Sequence, residues 1–303
     1  MLEFYIVPDD AYDLPEQLGT KFKFWFRGEN GKDYLFKEGR LGTGENWAEV
    51  VSSRLCDILG IPHAIYDLAS WRNQKGVISE NFVPIGCRLV HGNELLIRKS
   101  KNAQCTQLYK RKEHPLRMVL AVMKSVSTKP PLGFNPFNNV KSALDVFIAY
   151  LMFDAWIANQ DRHDENWGLI RTPEKQTYLA PTYDHASSLG RNESDQVKKF
   201  KLTTNDQRQN LQFYVERAKS AFFSSGAVVK RLSTIDAFIK AAKHSKSAAI
   251  NWIEKLESIS DEKILSAFEH IPNTELSDIG IEFGQKILFL NKRRLIDSAK
   301  DLK

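Results

Sequence analysis

The sequence predicts an α+β fold, β-rich first and mainly helical afterwards. Three observations carry this. The first ~85 residues hold short aromatic runs punctuated by turn signals, with one helical stripe among them. The remainder is dominated by apolar residues at helical spacing. One hairpin, Trp167 to Arg171 and about Thr177 to Ala180, is embedded in that helical part. The chain has 303 residues, 42% hydrophobic and 26% charged, ordinary values for a soluble globular protein with ample core. No apolar run approaches the ~18 residues of a membrane span.

In chain order, Thr20 to Phe26 alternates basic and aromatic residues and reads as a strand. Gly28 to Lys32 is a turn with an Asn-Gly signal, and Asp33 to Lys37 returns as the next strand. A helix starts near Glu45, carries Trp47, Val50, Val51, Leu55, Ile58 and Leu59 on one stripe, and stops at Gly60. Glu49 falls about 200° from Trp47, on the polar side, at 100° per residue. Pro62 to Leu68 and Gly76 to Ser79 are further strands, and Glu80 to Pro84 is a connector. Residues 86–111 show no clear period. A helix is expected over about Glu113 to Ser127, then a Pro-rich loop, with Asn138 or Asn139 capping a helix over about Val140 to Ala158. Residues 191–210 read as a long polar surface loop. Helices are expected near 211–224, 228–243, 246–258, 261–269 and 275–299.

The informative stretch runs from Leu151 to Gly190. An apolar helix enters Asp161-Arg162-His163-Asp164-Glu165-Asn166, the hairpin follows, and Tyr183-Asp184-His185 comes next. A hairpin brings its two ends together, so Asp161, Asn166 and Asp184 should converge at one mouth. Carboxylates and an amide oxygen are hard ligands suited to Mg²⁺, which takes one or two carboxylates plus substrate phosphates. The residues alone therefore suggest metal-assisted phosphoryl transfer. Against this stands the ordinary use of Asp, Asn and His in turns and caps.

Other features narrow the class. The net charge of +6 suits anionic ligands such as nucleotides. Cys56, Cys87 and Cys105 are widely spaced, which suggests neither a zinc site nor a disulfide framework. The start, MLEFYIVPDDAYD, lacks the pattern of a signal peptide. A cytoplasmic setting is expected, with a secreted or translocated effector as the alternative.

The chain resembles the HipA-like Ser/Thr protein kinases, in the compact form without an extra N-terminal subdomain. The matching pieces are Gly19-Thr20-Lys21-Phe22-Lys23, Tyr34-Leu35-Phe36-Lys37, Glu49, Gly76 to Phe82, Asp161-x-His163-x-x-Asn166 and Tyr183-Asp184. The resemblance implies a two-lobed protein-kinase-like fold, with a β-rich N-lobe at residues 1–83 and a helical C-lobe at 84–303. ATP and Mg²⁺ would bind between the lobes. It makes Asp161 the catalytic-loop aspartate, Asn166 and Asp184 the metal ligands, Lys37 the phosphate-gripping lysine and Glu49 its partner. Gly19, Thr20, Lys21 and Lys23 would cover the phosphates, Glu80 and Phe82 would sit at the adenine hinge, and His163 would support the catalytic loop. It also implies a Ser/Thr protein substrate, autophosphorylation (with Thr20 as the candidate residue), and a small DNA-binding antitoxin if the chain is a toxin.

There are departures. The histidine follows the catalytic aspartate, His185 follows Asp184, and the first loop is poor in glycine. Three competing readings stand. One is a phosphohydrolase using His163-Asp164 as an HD dyad, for which His114 is too distant a partner. Another is a phosphatidylinositol-kinase-like lipid kinase, although no membrane-binding amphipathic helix is evident. The third is a non-catalytic module or nucleic-acid binder, whose one hint, the basic aromatic run Lys21 to Phe26, is better explained by core packing.

Overall fold

The computed structural model describes residues 4–12, 14–15, 21–99, 114–225 and 229–302. Strands β1 (Tyr5–Ile6), β2 (Leu14–Pro15), β3 (Lys23–Arg27) and β4 (Asp33–Glu38) precede helix α1 (Glu45–Leu59). Strands β5 (Tyr66–Trp71) and β6 (Gln74–Glu80) complete a sheet of order β1-β5-β6-β4-β3-β2. Alternation in β3 sends Phe24 and Phe26 into a cluster with Phe36, Trp71 and Ile78, so these two aromatic residues are core, while Trp25 stands half-buried on the opposite face. The β5–β6 turn places Arg72 and Asn73 at positive φ, as a two-residue hairpin requires. Helix α1 ends as expected, on Gly60 at φ +64, a left-handed position that favours glycine.

The segment from Pro62 does not join β5 directly. His63 bridges to Thr182, which ties the sheet-bearing part to the loop after the embedded hairpin. Beyond the sheet come β7 (Arg88–His91), α2 (Gly92–Lys99), β8 (His114–Pro115), α3 (Leu116–Met123) and β9 (Thr128–Lys129). Helix α4 (Ala143–Trp156) is buried along its whole length. Its cap is Ser142, not Asn138 or Asn139. The Ser142 hydroxyl accepts the Asp145 N–H and the Asp145 carboxylate accepts the Ser142 N–H, a capping box. Asn138 instead takes a left-handed turn position at φ +45. The expected hairpin is β10 (Gly168–Arg171) and β11 (Thr177–Leu179), the centre of a sheet ordered β7-β10-β11-β9.

Two expectations are corrected after Gly190. The polar stretch contains a helix, α5 (Asp195–Thr203), started by Ser194 and anchored by the buried Lys198. After α6 (Leu211–Glu216), residues 219–223 and 231–233 form β12 (Lys219–Phe223) and β13 (Arg231–Ser233) rather than helix. Their buried Phe222 packs on His114, the β8 residue that pairs with it. Helices α7 (Thr234–Ala242), α8 (Lys246–Glu257) and α10 (Asp278–Ala299) pack on α4, and α9 (Asp261–Ser266) packs on α10. One core cluster joins α1, the inner face of the sheet and the helical part. No helix among the described residues is long and apolar enough to cross a membrane.

Candidate active site

The site lies in a cavity of about 400 Å³ between the β3–β4–β6 face and the loops around β10 and β11. Lys37, in β4, points its ammonium across it. Nζ stands 2.5 Å from Asp184 Oδ1 and 3.6 Å from Glu49 Oε2. Glu49 is buried at 1% exposure, not solvated, because the sheet and the Asp184 segment cover its side of α1. Its Oε1 accepts the His185 N–H at 2.5 Å, while Oε2 has no hydrogen-bond partner among the described residues. Asp184 itself sits at φ +56, a left-handed conformation that costs a non-glycine residue roughly 1–3 kcal/mol.

Three ionisable groups share this corner, and burial acts first on each. It lowers the affinity of Lys37 for its proton, but the Asp184 and Glu49 carboxylates outweigh it and hold the ammonium above its ordinary value. Burial would raise Asp184, but the adjacent Lys37 holds it well below the usual carboxylate range. For Glu49 burial prevails over the attraction of Lys37, and the Asp184 charge adds to it, so its carboxyl is pushed up to about 7. Lys37 is thus paired first with Asp184.

The loop after α4 is built on a buried ion pair. Arg162, 1% exposed, donates from Nε to Asp154 Oδ2 at 2.9 Å and from Nη2 to Asp154 Oδ1 at 2.6 Å. Its Nη1 donates to the carbonyls of Asn166 at 2.9 Å and Tyr183 at 3.2 Å. One guanidinium therefore ties the helix end, the loop and the Asp184 segment together. Asn159 donates to Asp154 Oδ1 at 2.8 Å, and its own amide oxygen accepts the Asp161 N–H at 3.2 Å. Asn166 Nδ2 donates to the Asp161 carbonyl at 2.7 Å, which leaves its amide oxygen for another partner. His163 Nδ1 accepts the Glu165 N–H at 3.2 Å, and Nε2 stands 3.9 Å from Asp161 Oδ1.

A second charged cluster lies at the same end of the cavity. Glu45, buried in the first turn of α1, receives Lys21 Nζ at 2.7 Å, Arg40 Nη1 at 3.4 Å and Arg191 Nη1. Burial alone would raise the Glu45 carboxyl, but Lys21 and Arg191 draw it below its ordinary value. The cavity also has an apolar wall, made by Leu35, Phe82, Val83, Leu89 and Tyr183. The Phe82 and Tyr183 rings stack there at 5.5 Å. The Tyr183 hydroxyl donates to the Glu165 carbonyl at 2.9 Å, which fixes that ring.

The cavity thus gathers Lys21, Lys23, Lys37, Phe82, Asp161, His163, Asn166 and Asp184 of the sequence-derived set, with Glu49 just behind Lys37. Gly19 and Thr20 lie outside the described residues. Glu80 lines the cavity at the end of β6, but its carboxylate is spent on Lys32 at 2.8 Å on an exposed edge. Glu45, Asp154, Arg162 and Arg191 were not legible as site residues. The one available signal is Asp154, the one acid beyond the first turn of an apolar helix, followed by an arginine eight residues on.

The donor set fits a small hard cation. Asp184 offers a carboxylate and Asn166 an amide oxygen, a pair suited to Mg²⁺ when phosphates supply further oxygens. Among the described residues no three His, Cys, Asp or Glu side chains group closely enough to hold a metal by themselves.

Comparison with known proteins bears on the fold and the family. A solved structure described as the Helicobacter pylori proinflammatory kinase CtkA superposes with a TM-score of 0.71 at 21% identity, covering 98% of this chain and 95% of that one. HipA of Shewanella oneidensis MR-1, solved with HipB and operator DNA, superposes with a TM-score of 0.59 at 13% identity, covering 98% of this chain and 70% of that one. No curated protein sequence matches. The two-lobed, kinase-like architecture is common to all three chains. The model of the HipA-like C-terminal domain matches residues 14–260, and the chain belongs to that family.

Proposed function

We propose that the chain is an ATP- and Mg²⁺-dependent Ser/Thr protein kinase that transfers the γ-phosphate to a protein hydroxyl, its own included. The observation that carries this reading is the convergence of Lys37, Asp184, Asn166 and Asp161 on one cavity that also has an apolar, aromatic wall. Phosphoryl transfer asks for positioning and charge neutralisation rather than covalent chemistry, and this cavity offers both.

In this reading the adenine lies at the Phe82–Tyr183 end, against the segment Glu80 to Val83. Lys37, held by Glu49, grips the phosphates. Mg²⁺, on Asp184 and Asn166, would neutralise charge on the phosphate oxygens. Asp161 orients the acceptor hydroxyl and takes its proton, while Arg162 keeps the loop and the Asp184 segment in register. The N-lobe of this kinase would be residues 1–83 and the C-lobe 84–303. The setting would be the cytoplasm.

The HipA relative was solved with HipB and operator DNA. A toxin–antitoxin role for this chain, with a small DNA-binding partner, is the biological setting we propose. The HD-type alternative finds less support, because His163 is turned onto the Glu165 N–H and no three-ligand cluster surrounds it among the described residues. The test is incubation of purified protein with labelled ATP and Mg²⁺, followed by mapping of labelled residues. Release of free phosphate without any labelled hydroxyl would favour the hydrolase.

A further inference from the structure

A second cavity, about 290 Å³, opens on the other side of Asp161. Its walls include Gln160, Asn192 and Tyr214, and it shares Asp161, Ser187 and Arg191 with the first cavity. Asp161 therefore stands on a partition between two spaces. Transfer in line requires the acceptor oxygen and the leaving oxygen to lie on opposite sides of the phosphorus. A nucleotide in the first cavity leaves the second as the approach for the acceptor.

One hydroxyl of the chain already makes the contact an acceptor would make. Ser187 Oγ donates to Asp161 Oδ2 at 3.3 Å. Arg191 Nη2 donates to Ser187 Oγ at 2.9 Å, so the serine proton is directed at Asp161. Arg191 is held in turn by Glu45 through Nη1, and its carbonyl accepts the Gly44 N–H at 2.9 Å. Ser187 thus occupies one carboxylate oxygen of Asp161 and leaves Oδ1 for an incoming hydroxyl. The cavity walls are also fixed. The Gln160 carbonyl accepts from Arg231 at 3.0 Å, and its side-chain oxygen accepts the Lys219 N–H at 3.3 Å. Lys201 lies over the Tyr214 ring at 5.2 Å.

Resting on the kinase reading of the first cavity, we propose that the second cavity is the acceptor subsite. It takes a serine or threonine side chain from a polypeptide whose neighbouring residues are polar. Ser187, fixed by Arg191, is a positioning residue that turns Asp161 toward that side chain. In the step itself, the acceptor Oγ–P bond forms and the bond from the γ-phosphorus to the β-phosphate oxygen breaks. The acceptor proton passes to Asp161, and ADP leaves.

The experiment uses labelled ATP, Mg²⁺ and a degenerate peptide mixture with a fixed central serine. Ser187→Ala should lower kcat about tenfold, the scale of one lost charge-assisted hydrogen bond, with ATP Kd held. Ser187→Thr should restore it. Tyr214→Ala should raise the peptide KM about tenfold, again with ATP Kd held by calorimetry. Polar residues should be enriched beside the labelled serine. Full kcat in Ser187→Ala, an unchanged peptide KM in Tyr214→Ala, or loss of ATP binding in step with either effect would overturn the assignment while the kinase reading stands. Wild-type protein that binds ATP and labels nothing would refute the kinase reading, and the acceptor subsite with it.

Discussion

Replacing Arg162 with methionine keeps most of the side chain's length and removes its charge. Asp154 is then left buried, at 3% exposure, without its bidentate partner. Breaking a buried ion pair by removing one member costs roughly 3–5 kcal/mol. The carbonyls of Asn166 and Tyr183 lose a donor as well, each worth about 1–3 kcal/mol if no water replaces it. These losses overlap, so about 3 kcal/mol is the floor expected, a large fraction of a typical total stability of about 5–15 kcal/mol. Urea unfolding followed by fluorescence of the buried Trp47, Trp156 and Trp252 reads the loss as a shift in midpoint. The double variant Arg162→Met, Asp154→Asn should cost clearly less than the sum of the single variants, because the orphaned charge is gone. A single-variant loss below about 1 kcal/mol would show that the pair contributes no more than an exposed one, and would refute the account of the loop.

Four further outcomes are expected. Lys37→Ala should weaken ATP binding and turnover together, read by calorimetry and initial rates; unchanged values in both would make Lys37 a bystander. Asp184→Asn should remove most of the Mg²⁺ dependence of ATP affinity, measured with and without the metal. Asp161→Asn should abolish labelling with ATP affinity nearly intact, and labelling at the wild-type rate would exclude it from the chemistry. Glu49 has its carboxyl raised from the ordinary 4.5 to about 7, so its favourable contribution is full below 4.5 and is lost as the pH rises through 7. Glu49→Gln should flatten the pH dependence of unfolding across that window, and an unaltered slope would assign it to another group.

The convergence of the candidate site residues is more legible in the sequence than the scaffold that holds them. Asp161, Asn166 and Asp184 were legible because the short β10–β11 hairpin dictates that its two ends meet. Lys37 was legible as the polar end of an aromatic strand. Glu45 was not, since an acid in the first turn of a helix is ordinary and its partner Arg191 is 146 residues away. The side of α1 that carries Glu49 was likewise undecidable, because a helix stripe shows which residues seek cover and not how many elements supply it. The run Lys219 to Phe223 is ambiguous in sequence, because a short apolar run does not distinguish strand from helix. In α5 a polar composition concealed a helix fixed by the Ser194 cap and by Lys198 over the Trp47 ring.

The fastening of α1 has a consequence for how the molecule comes apart. Arg54 donates to the carbonyls of Ala267 at 3.1 Å and Glu269 at 2.6 Å, and Ser52 meets Ser188 at 3.1 Å. Trp47, Val51 and Leu55 belong to the same core as α4 and α10. Residues 1–83 cut from the rest would bare that face of α1 to water, so the sheet-bearing part should not stand alone as a folded fragment. Melting should accordingly be a single cooperative event spanning the whole chain.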